Sequence, residues 1–165
     1  MHALMNNPFV STKAPAAFLA IPAVQVKAPC SRQRERDEMF IQMLDAYRGS
    51  GGLSRGTQIN ALLEGRGRHT PGTVDKWKDT NEVIYFEWAL ETWLPRFQFD
   101  MANKAPWAEV GLVATELAGV YDNWEMALWF ARPSSALAGR LPADTLRLDP
   151  DLVIQAARHV RSLAS

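Results

Sequence analysis

Trp93-Leu94-Pro95-Arg96-Phe97-Gln98-Phe99-Asp100 is where the chain changes its period. Upstream, apolar residues recur at helical spacing. Into this stretch run Val83-Ile84-Tyr85-Phe86-Glu87-Trp88 and Thr92-Trp93-Leu94-Pro95-Arg96-Phe97, both rich in β-branched and aromatic residues, with Ala89-Leu90-Glu91 between them. Such side chains suit a pleated, half-buried surface, so the pair predicts a β-hairpin. Its turn holds neither Gly nor Asn, the residues that tight hairpin turns favour. Pro95 has no N–H to give to a ladder and belongs at a sheet edge or a strand end. Further on, Trp124-Glu125-Met126-Ala127-Leu128-Trp129-Phe130-Ala131-Arg132-Pro133 gathers a second set of aromatics. The two stretches divide the chain into a basic, helix-turn-helix-like part before and a compact helical part after.

Upstream, Arg32 to Tyr47 reads as the first helix, because Met39, Phe40, Met43, Leu44 and Tyr47 make one apolar stripe at three- and four-residue spacing. Gly49-Ser50-Gly51-Gly52 ends it. Ser54 suits the cap of a second helix whose Ile59, Leu62 and Leu63 face inward. Gly65-Arg66-Gly67-Arg68-His69 breaks that helix. Thr70 then caps a third helix, with Pro71 at its first position, where a missing N–H costs nothing, and with Val74 and Trp77 as its buried face. Helix, glycine turn and helix, preceded by a packing helix, is the layout of a helix-turn-helix. The opening Met1–Pro29 carries Lys13 and Lys27, no acids, and alanines interrupted by Pro8, Pro15, Pro22 and Pro29. Proline breaks the apolar core that a secretory signal needs, so this stretch reads as a disordered or extended leader.

Downstream of Asp100 the pattern predicts helices to the end. Pro106 opens one with Val110, Val113, Leu117 and Val120 on one side. Asp122 with Glu125 three residues on makes a capping box for the helix carrying Trp124, Leu128 and Trp129, and Pro133 stops it. Pro142 opens a short helix with Leu146, and Asp149-Pro150 caps and starts the last, with Leu152, Val153, Ala156, Ala157 and Val160 apolar. The expected fold is mainly α: a helix-turn-helix-like three-helix unit, a β-hairpin and a small C-terminal helical module. The expected division is a leader over 1–31, a helix-turn-helix-like region with the hairpin over 32–100, and a helical domain over 101–165.

The net charge is zero over 165 residues, but it is unevenly spread. From Ser54 to Lys78, five bases (Arg55, Arg66, Arg68, Lys76, Lys78) face Glu64 and Asp75, giving 5 − 2 = +3. From Asn81 to Phe130, eight acids face Arg96 and Lys104, giving 2 − 8 = −6. Beyond, Arg132, Arg140, Arg147, Arg158 and Arg161 outnumber Asp144, Asp149 and Asp151. A basic face for an anion and an acidic flank for a second partner fit that asymmetry. A lone cysteine, Cys30, excludes an internal disulfide and a cysteine-based zinc site, and with no apolar run of about 20 residues the expected compartment is the cytoplasm, without membrane contact.

The order Trp124…Trp129, Pro133-Ser134-Ser135-Ala136-Leu137, Gly139-Arg140-Leu141-Pro142 and Asp149-Pro150-Asp151 resembles the toxin-binding domain of bacterial Xre/MbcA/ParS antitoxins. That pattern is a tryptophan-rich helix, Pro-x-x-x-Leu, Gly-x-x-Pro and a closing helix after an acid. Proteins of the group often carry Pro-x-x-Gln-Phe-Asp between a degenerate helix-turn-helix and this domain. The counterpart here is Pro95-Arg96-Phe97-Gln98-Phe99-Asp100, and the resemblance covers Leu53 to Ser165. It implies a toxin–antitoxin role. The helix-turn-helix of such proteins binds the operon's own promoter, and the C-terminal domain covers the active site of a RES-type, NAD-consuming toxin. The long acid-free leader and the third helix depart from the group's simplest pattern.

In a helix-turn-helix the DNA-binding candidates are Ser54, Arg55, Arg66, Arg68, His69, Thr70, Thr73, Lys76 and Lys78. Thr70 and Thr73 would stand at base edges and the arginines of the glycine turn at phosphates. Glu87 and Glu91 at the hairpin tip repel phosphate and give the hairpin a structural part. The partner-binding candidates are Arg132, Ser134, Arg140, Arg147, Gln155, Arg158, His159 and Arg161, since arginines at this density can meet polar groups or acids of a partner. Catalytic constellations are not legible. His2, His69 and His159 have no metal-ligand spacing, Gly65-Arg66-Gly67 lacks the rest of a dinucleotide fingerprint, and Ser134-Ser135 sits on no nucleophile elbow. The sequence therefore predicts a non-enzymatic, antitoxin-like regulatory protein without metal or cofactor, a homodimer that occludes a toxin encoded by a neighbouring gene and binds promoter DNA. The alternatives are an orphan DNA-binding transcriptional regulator and a scaffolding or dimerisation protein that does not touch DNA.

Overall fold

The aromatic runs do form a sheet, and the sheet organises everything else. The computed structural model describes residues 31–64 and 73–164. The chain is mainly helical: α1 (Ser31–Ala46), α2 (Gly56–Glu64), α3 (Thr73–Asp79), α4 (Ala108–Leu117), α5 (Asn123–Phe130), α6 (Pro142–Thr145) and α7 (Pro150–Ala164). The strands are β1 (Leu53–Arg55), β2 (Phe86–Trp88), β3 (Glu91–Pro95), β4 (Phe99–Asp100) and β5 (Ala105–Pro106).

β2 and β3 are the expected hairpin, shorter than its apolar runs, with Phe86 opposite Trp93 and Trp88 opposite Glu91. Val83 and Ile84 are buried just outside the ladder. Two residues, Ala89 and Leu90, make the turn, with φ of 51° and 63°. These left-handed backbones are what an Asn-Gly turn would supply without strain. β1 adds antiparallel to the other side of β3, in the order β1-β3-β2, with Ser54 opposite Leu94. Pro95 thus ends a central strand. The expectation that Ser54 caps the second helix is corrected: its backbone is in the ladder, its side chain is buried, and α2 starts at Gly56. Gln58, the third residue of α2, instead accepts the Arg55 N–H at 3.0 Å, one half of a capping box.

Residues alternate between the two faces of a strand, and each face gathers its own core. Leu94 meets Ile59 and Leu63 of α2, Val74 and Trp77 of α3, and Val83 and Phe99. Phe86, Trp88 and Trp93 meet Phe40 of α1: the Phe40 and Trp88 rings stack with centroids 3.9 Å apart, and Trp93 stands edge-on at 5.1 Å. The first helix therefore lies across the sheet from α2 and α3, not against them, which corrects the expected three-helix unit. Its stripe is partly corrected too. Phe40, Met43 and Tyr47 are buried, whereas Leu44 and Ile41 are exposed. The expected turn over Gly65–His69, the Thr70 cap and Pro71 lie outside the described residues, as does the leader up to Cys30.

After Asp100 the chain does not go straight into helix, as the sequence suggested. Phe99-Asp100 pairs with Ala105-Pro106, and α4 begins at Ala108. Asp100 closes this small hairpin: one carboxylate oxygen accepts the Ala102 and Asn103 N–H groups and the other accepts Asn103 Nδ2 at 2.7 Å. Pro106 therefore ends a strand. The Asp122–Glu125 capping box of α5 is present in both directions, and Pro142 opens α6. The Asp149 carboxylate accepts the Leu152 N–H at the start of α7.

The core crosses the sequence division at Asp100. Phe40, Met43, Tyr47, Phe86 and Phe97 pack in one cluster with Val110, Val113 and Leu117 of α4, Trp124 and Phe130 of α5, and Val153 and Ala157 of α7. Within it, the Tyr47 hydroxyl donates to the Ala127 carbonyl at 2.6 Å.

Candidate functional site

The residues expected to meet DNA are largely engaged with the protein itself. Arg55 Nε lies 2.5 Å from the Glu91 carboxylate, and its guanidinium sits 5.4 Å over the Trp93 ring. The Lys78 amine, on a side chain only 20% exposed, lies 3.6 Å from Asp75 and 3.7 Å from Glu87, and 4.8 Å over the Tyr85 ring. Ser54 is buried in the sheet, Thr73 is half-buried at the start of α3, and Lys76 is the described basic candidate that is exposed without a carboxylate within 4 Å. Arg66, Arg68, His69 and Thr70 lie outside the described residues. From Thr73 to Glu91, Asp75, Asp79, Glu82, Glu87 and Glu91 face Lys76 and Lys78, giving 2 − 5 = −3. A phosphate approaching α3 or the hairpin meets that acidic excess. α3 itself spans seven residues, and its Val74 N–H is tied to Asn60 of α2.

The eight partner-binding candidates separate into four groups. Arg158 and Arg161 converge on Glu116 of α4, with nitrogen–oxygen distances of 3.0 and 2.7 Å, and so fasten α7 to α4. Arg147 stands 5.4 Å over the Trp107 ring, and its charge also reaches Asp100. Gln155 and His159 are exposed on α7. Arg132, Ser134 and Arg140 belong together. They sit on the loop between α5 and α6, where the Ser134 N–H donates to the Arg140 carbonyl at 3.1 Å and the Gly139 N–H to the Ser134 carbonyl at 2.9 Å. Leu137 plugs this loop into the core, and Ala138 and Gly139 turn it with φ of 54° and 79°.

Arg132 and Ser134 also line a groove of about 690 Å³ that the sequence did not reveal, because its other wall is the start of α1. That wall carries Arg32, Glu35, Arg36 and Met39, and α5 contributes Trp124, Leu128 and Trp129. The Arg36 guanidinium lies 4.8 Å over the Trp124 ring, so part of this wall is fixed in place. Arg32 and Arg36 were legible as a pair at helical spacing just ahead of the apolar stripe. Their meeting with Arg132, a hundred residues away, comes from the sheet placing α1 against α5.

Two titrating groups report on the frame around these surfaces. The Asn103 side chain, the N–H groups of Asn103 and Ala102 and, more weakly, Arg147 hold the Asp100 carboxyl below its ordinary value. Its stabilisation is present above the ordinary carboxylate range and is lost as pH falls through the lowered value. Burial pushes the Tyr47 hydroxyl well above its usual range. No family model, curated protein or solved structure matches this chain. Among the described residues, no helix is long and apolar enough to cross a membrane.

Proposed function

We propose that this chain is an antitoxin-like regulatory protein that acts in the cytoplasm by binding and covering a partner protein, a RES-type toxin by the resemblance of its C-terminal half. The observation that supports this best is the loop from Arg132 to Leu141. Its backbone is closed by its own hydrogen bonds and anchored by buried Leu137, while Arg132, Ser135 and Arg140 stand exposed on it. A charged surface held in one conformation before it meets a partner loses little entropy on binding, and such loops on a rigid frame are where binding concentrates. The motif residues Pro133, Leu137, Gly139 and Pro142 supply the frame, and the residues between them supply the contact. The reading assigns no DNA contact to Arg55 or Lys78, whose charges are already met within the chain.

The test is co-expression with the protein encoded by the adjacent gene, followed by size exclusion. We expect a stable complex, relief of any growth defect or NAD loss caused by the neighbour alone, and at least about tenfold weaker association for Arg132→Glu with Arg140→Glu, as for losing a charge-assisted contact or two. A chain that elutes alone beside a folded neighbour refutes the reading.

A further inference from the structure

Among the described residues, Arg48, Arg55, Lys78, Arg158 and Arg161 each lie within 4 Å of a carboxylate, and the other lysines and arginines do not. The three guanidiniums of the α1–α5 groove, those of Arg32, Arg36 and Arg132, have no such partner among the described residues. Acids are not lacking there: Glu35 lines the same groove and lies beyond 4 Å of these guanidiniums, and Asp122 and Glu125 line it too. The latter two carboxylates are occupied in the capping box, each accepting the other's backbone N–H at 2.8 and 2.9 Å. The helix start thus engages the Asp122 and Glu125 carboxylates, and the three guanidiniums stay without a carboxylate within 4 Å among the described residues.

Arg32 and Arg36 lie one turn apart on α1, about 6 Å along its axis. That separation matches two carboxylates four residues apart on a helical segment, or two apart on an extended one, at about 6.6 Å. Arg36, stacked on Trp124, keeps its in-plane N–H donors available for a bidentate carboxylate. Half-buried Met39 and Trp129 offer an apolar seat between the two basic walls. The groove is open to solvent and is not a closed chamber, so it suits a chain segment better than a small anion, whose sites bury most of the ligand. The residues ahead of α1 contain no Asp or Glu and cannot supply the carboxylates.

We infer that the groove between α1 and α5 receives an acidic segment of a protein partner, with carboxylates meeting Arg32, Arg36 and Arg132 and an apolar side chain seated on Met39 and Trp129. This rests on the partner-binding reading above and gives that partner its chemistry.

The probe is a short fluorescein-labelled peptide alternating glutamate and leucine pairs, with its glutamine counterpart as control, followed by anisotropy on the full chain. The glutamate peptide should bind and weaken with salt, and the glutamine peptide should not bind. Affinity should fall at least about tenfold in Arg32→Gln with Arg36→Gln and in Arg132→Gln, and stay unchanged in Arg48→Gln. Arg132 lies outside any helix, so its variant keeps the test open should the α1 double variant misfold. No binding of the glutamate peptide, equal binding of both peptides, or unchanged affinity in the groove variants overturns the inference. Tighter binding of adenosine monophosphate than of the peptide, lost in the same variants, overturns it in favour of a small anion. A complex with the neighbouring protein that persists in the groove variants removes the groove and keeps the antitoxin reading. Peptide binding without any such complex does the reverse.

Discussion

Replacing Gln98 with leucine tests the account of how the hairpin is fixed. Gln98 is fully buried, and its amide works as a piece of backbone. Its oxygen accepts the Ile84 N–H at 2.6 Å, and its nitrogen donates to the carbonyls of Ile84 and Pro95, both at 2.8 Å. It thereby stands in as the strand neighbour that Ile84 lacks, and it joins the entry of β2 to the exit of β3. Gln98→Leu is close in volume but leaves three buried backbone groups without partners. At about 1–2 kcal/mol for each orphaned group, the lower part of the usual range, less about 1 kcal/mol regained by burying apolar atoms, the expected loss is about 2–5 kcal/mol. That is a large part of the 5–15 kcal/mol typical of a domain. In urea, followed by both circular dichroism and tryptophan fluorescence, the midpoint should fall by about 2 M for a slope near 2 kcal/mol/M. A loss below about 1 kcal/mol would refute the reasoning, since it would mean that water or a shifted loop replaces the amide. Gln98→Glu supplies the sign. Burial beside two carbonyl oxygens raises the folded pKa of the new carboxyl above its unfolded value. Relative to wild type, that variant should be most stable below the usual glutamate range and lose ground as pH rises through it.

Three more outcomes follow from single contacts. Ala89→Asn with Leu90→Gly places residues suited to left-handed backbone where φ is 51° and 63°, and should raise stability by about 1–2 kcal/mol; no change in the urea midpoint would mean the turn is not strained. Tyr47→Phe loses the bond to Ala127, whose carbonyl keeps the Ala131 N–H, so the cost should be about 1 kcal/mol at neutral pH. Because the folded hydroxyl titrates above its ordinary value, wild-type stability should decline as pH rises beyond the usual tyrosine range, and the phenylalanine variant should decline less over the same alkaline titration. Glu116→Gln removes both charge contacts between α4 and α7. With the two arginine side chains 63% and 57% exposed, the loss should be only about 1 kcal/mol and should shrink in molar salt, whereas a salt-independent loss would point to packing.

What the sequence could and could not convey follows from the range of each interaction. The α5 capping box, Pro142 at the start of α6 and Asp149 ahead of α7 are local devices, readable within four residues, and they appear where expected. β1 was not legible, because Leu53-Ser54-Arg55 is too short to show a period and becomes a strand only through β3. The β4–β5 hairpin was hidden by Pro106, which looks the same at a strand end as at a helix start. Arg158 and Arg161 looked like free surface because Glu116, their common partner, lies on another helix. The Pro95–Asp100 motif was read as a mark of kinship. Its Gln98 and Asp100 turn out to hold backbone in place, one at the three-stranded sheet and the other at the β4–β5 turn.

The position of α1 ties these points to function. Were α1 packed on α2 and α3, as the helix-turn-helix layout suggests, Arg32 and Arg36 would lie on the same side of the sheet as Lys76 and would add to a basic face. The stack of Phe40 on Trp88 and the Tyr47–Ala127 bond hold α1 on the other side, against α5. That move takes two guanidiniums away from α3, where acids prevail, and sets them beside Arg132 and the closed loop that follows it. Three guanidiniums without a carboxylate partner among the described residues are thereby gathered at a groove built from both halves of the sequence. A partner seated there would contact α1 and α5 together, so truncation before α1's aromatic anchor should abolish partner binding even with α4–α7 intact in sequence. A C-terminal half that binds the partner alone with full affinity would show that α1 has no part in the surface.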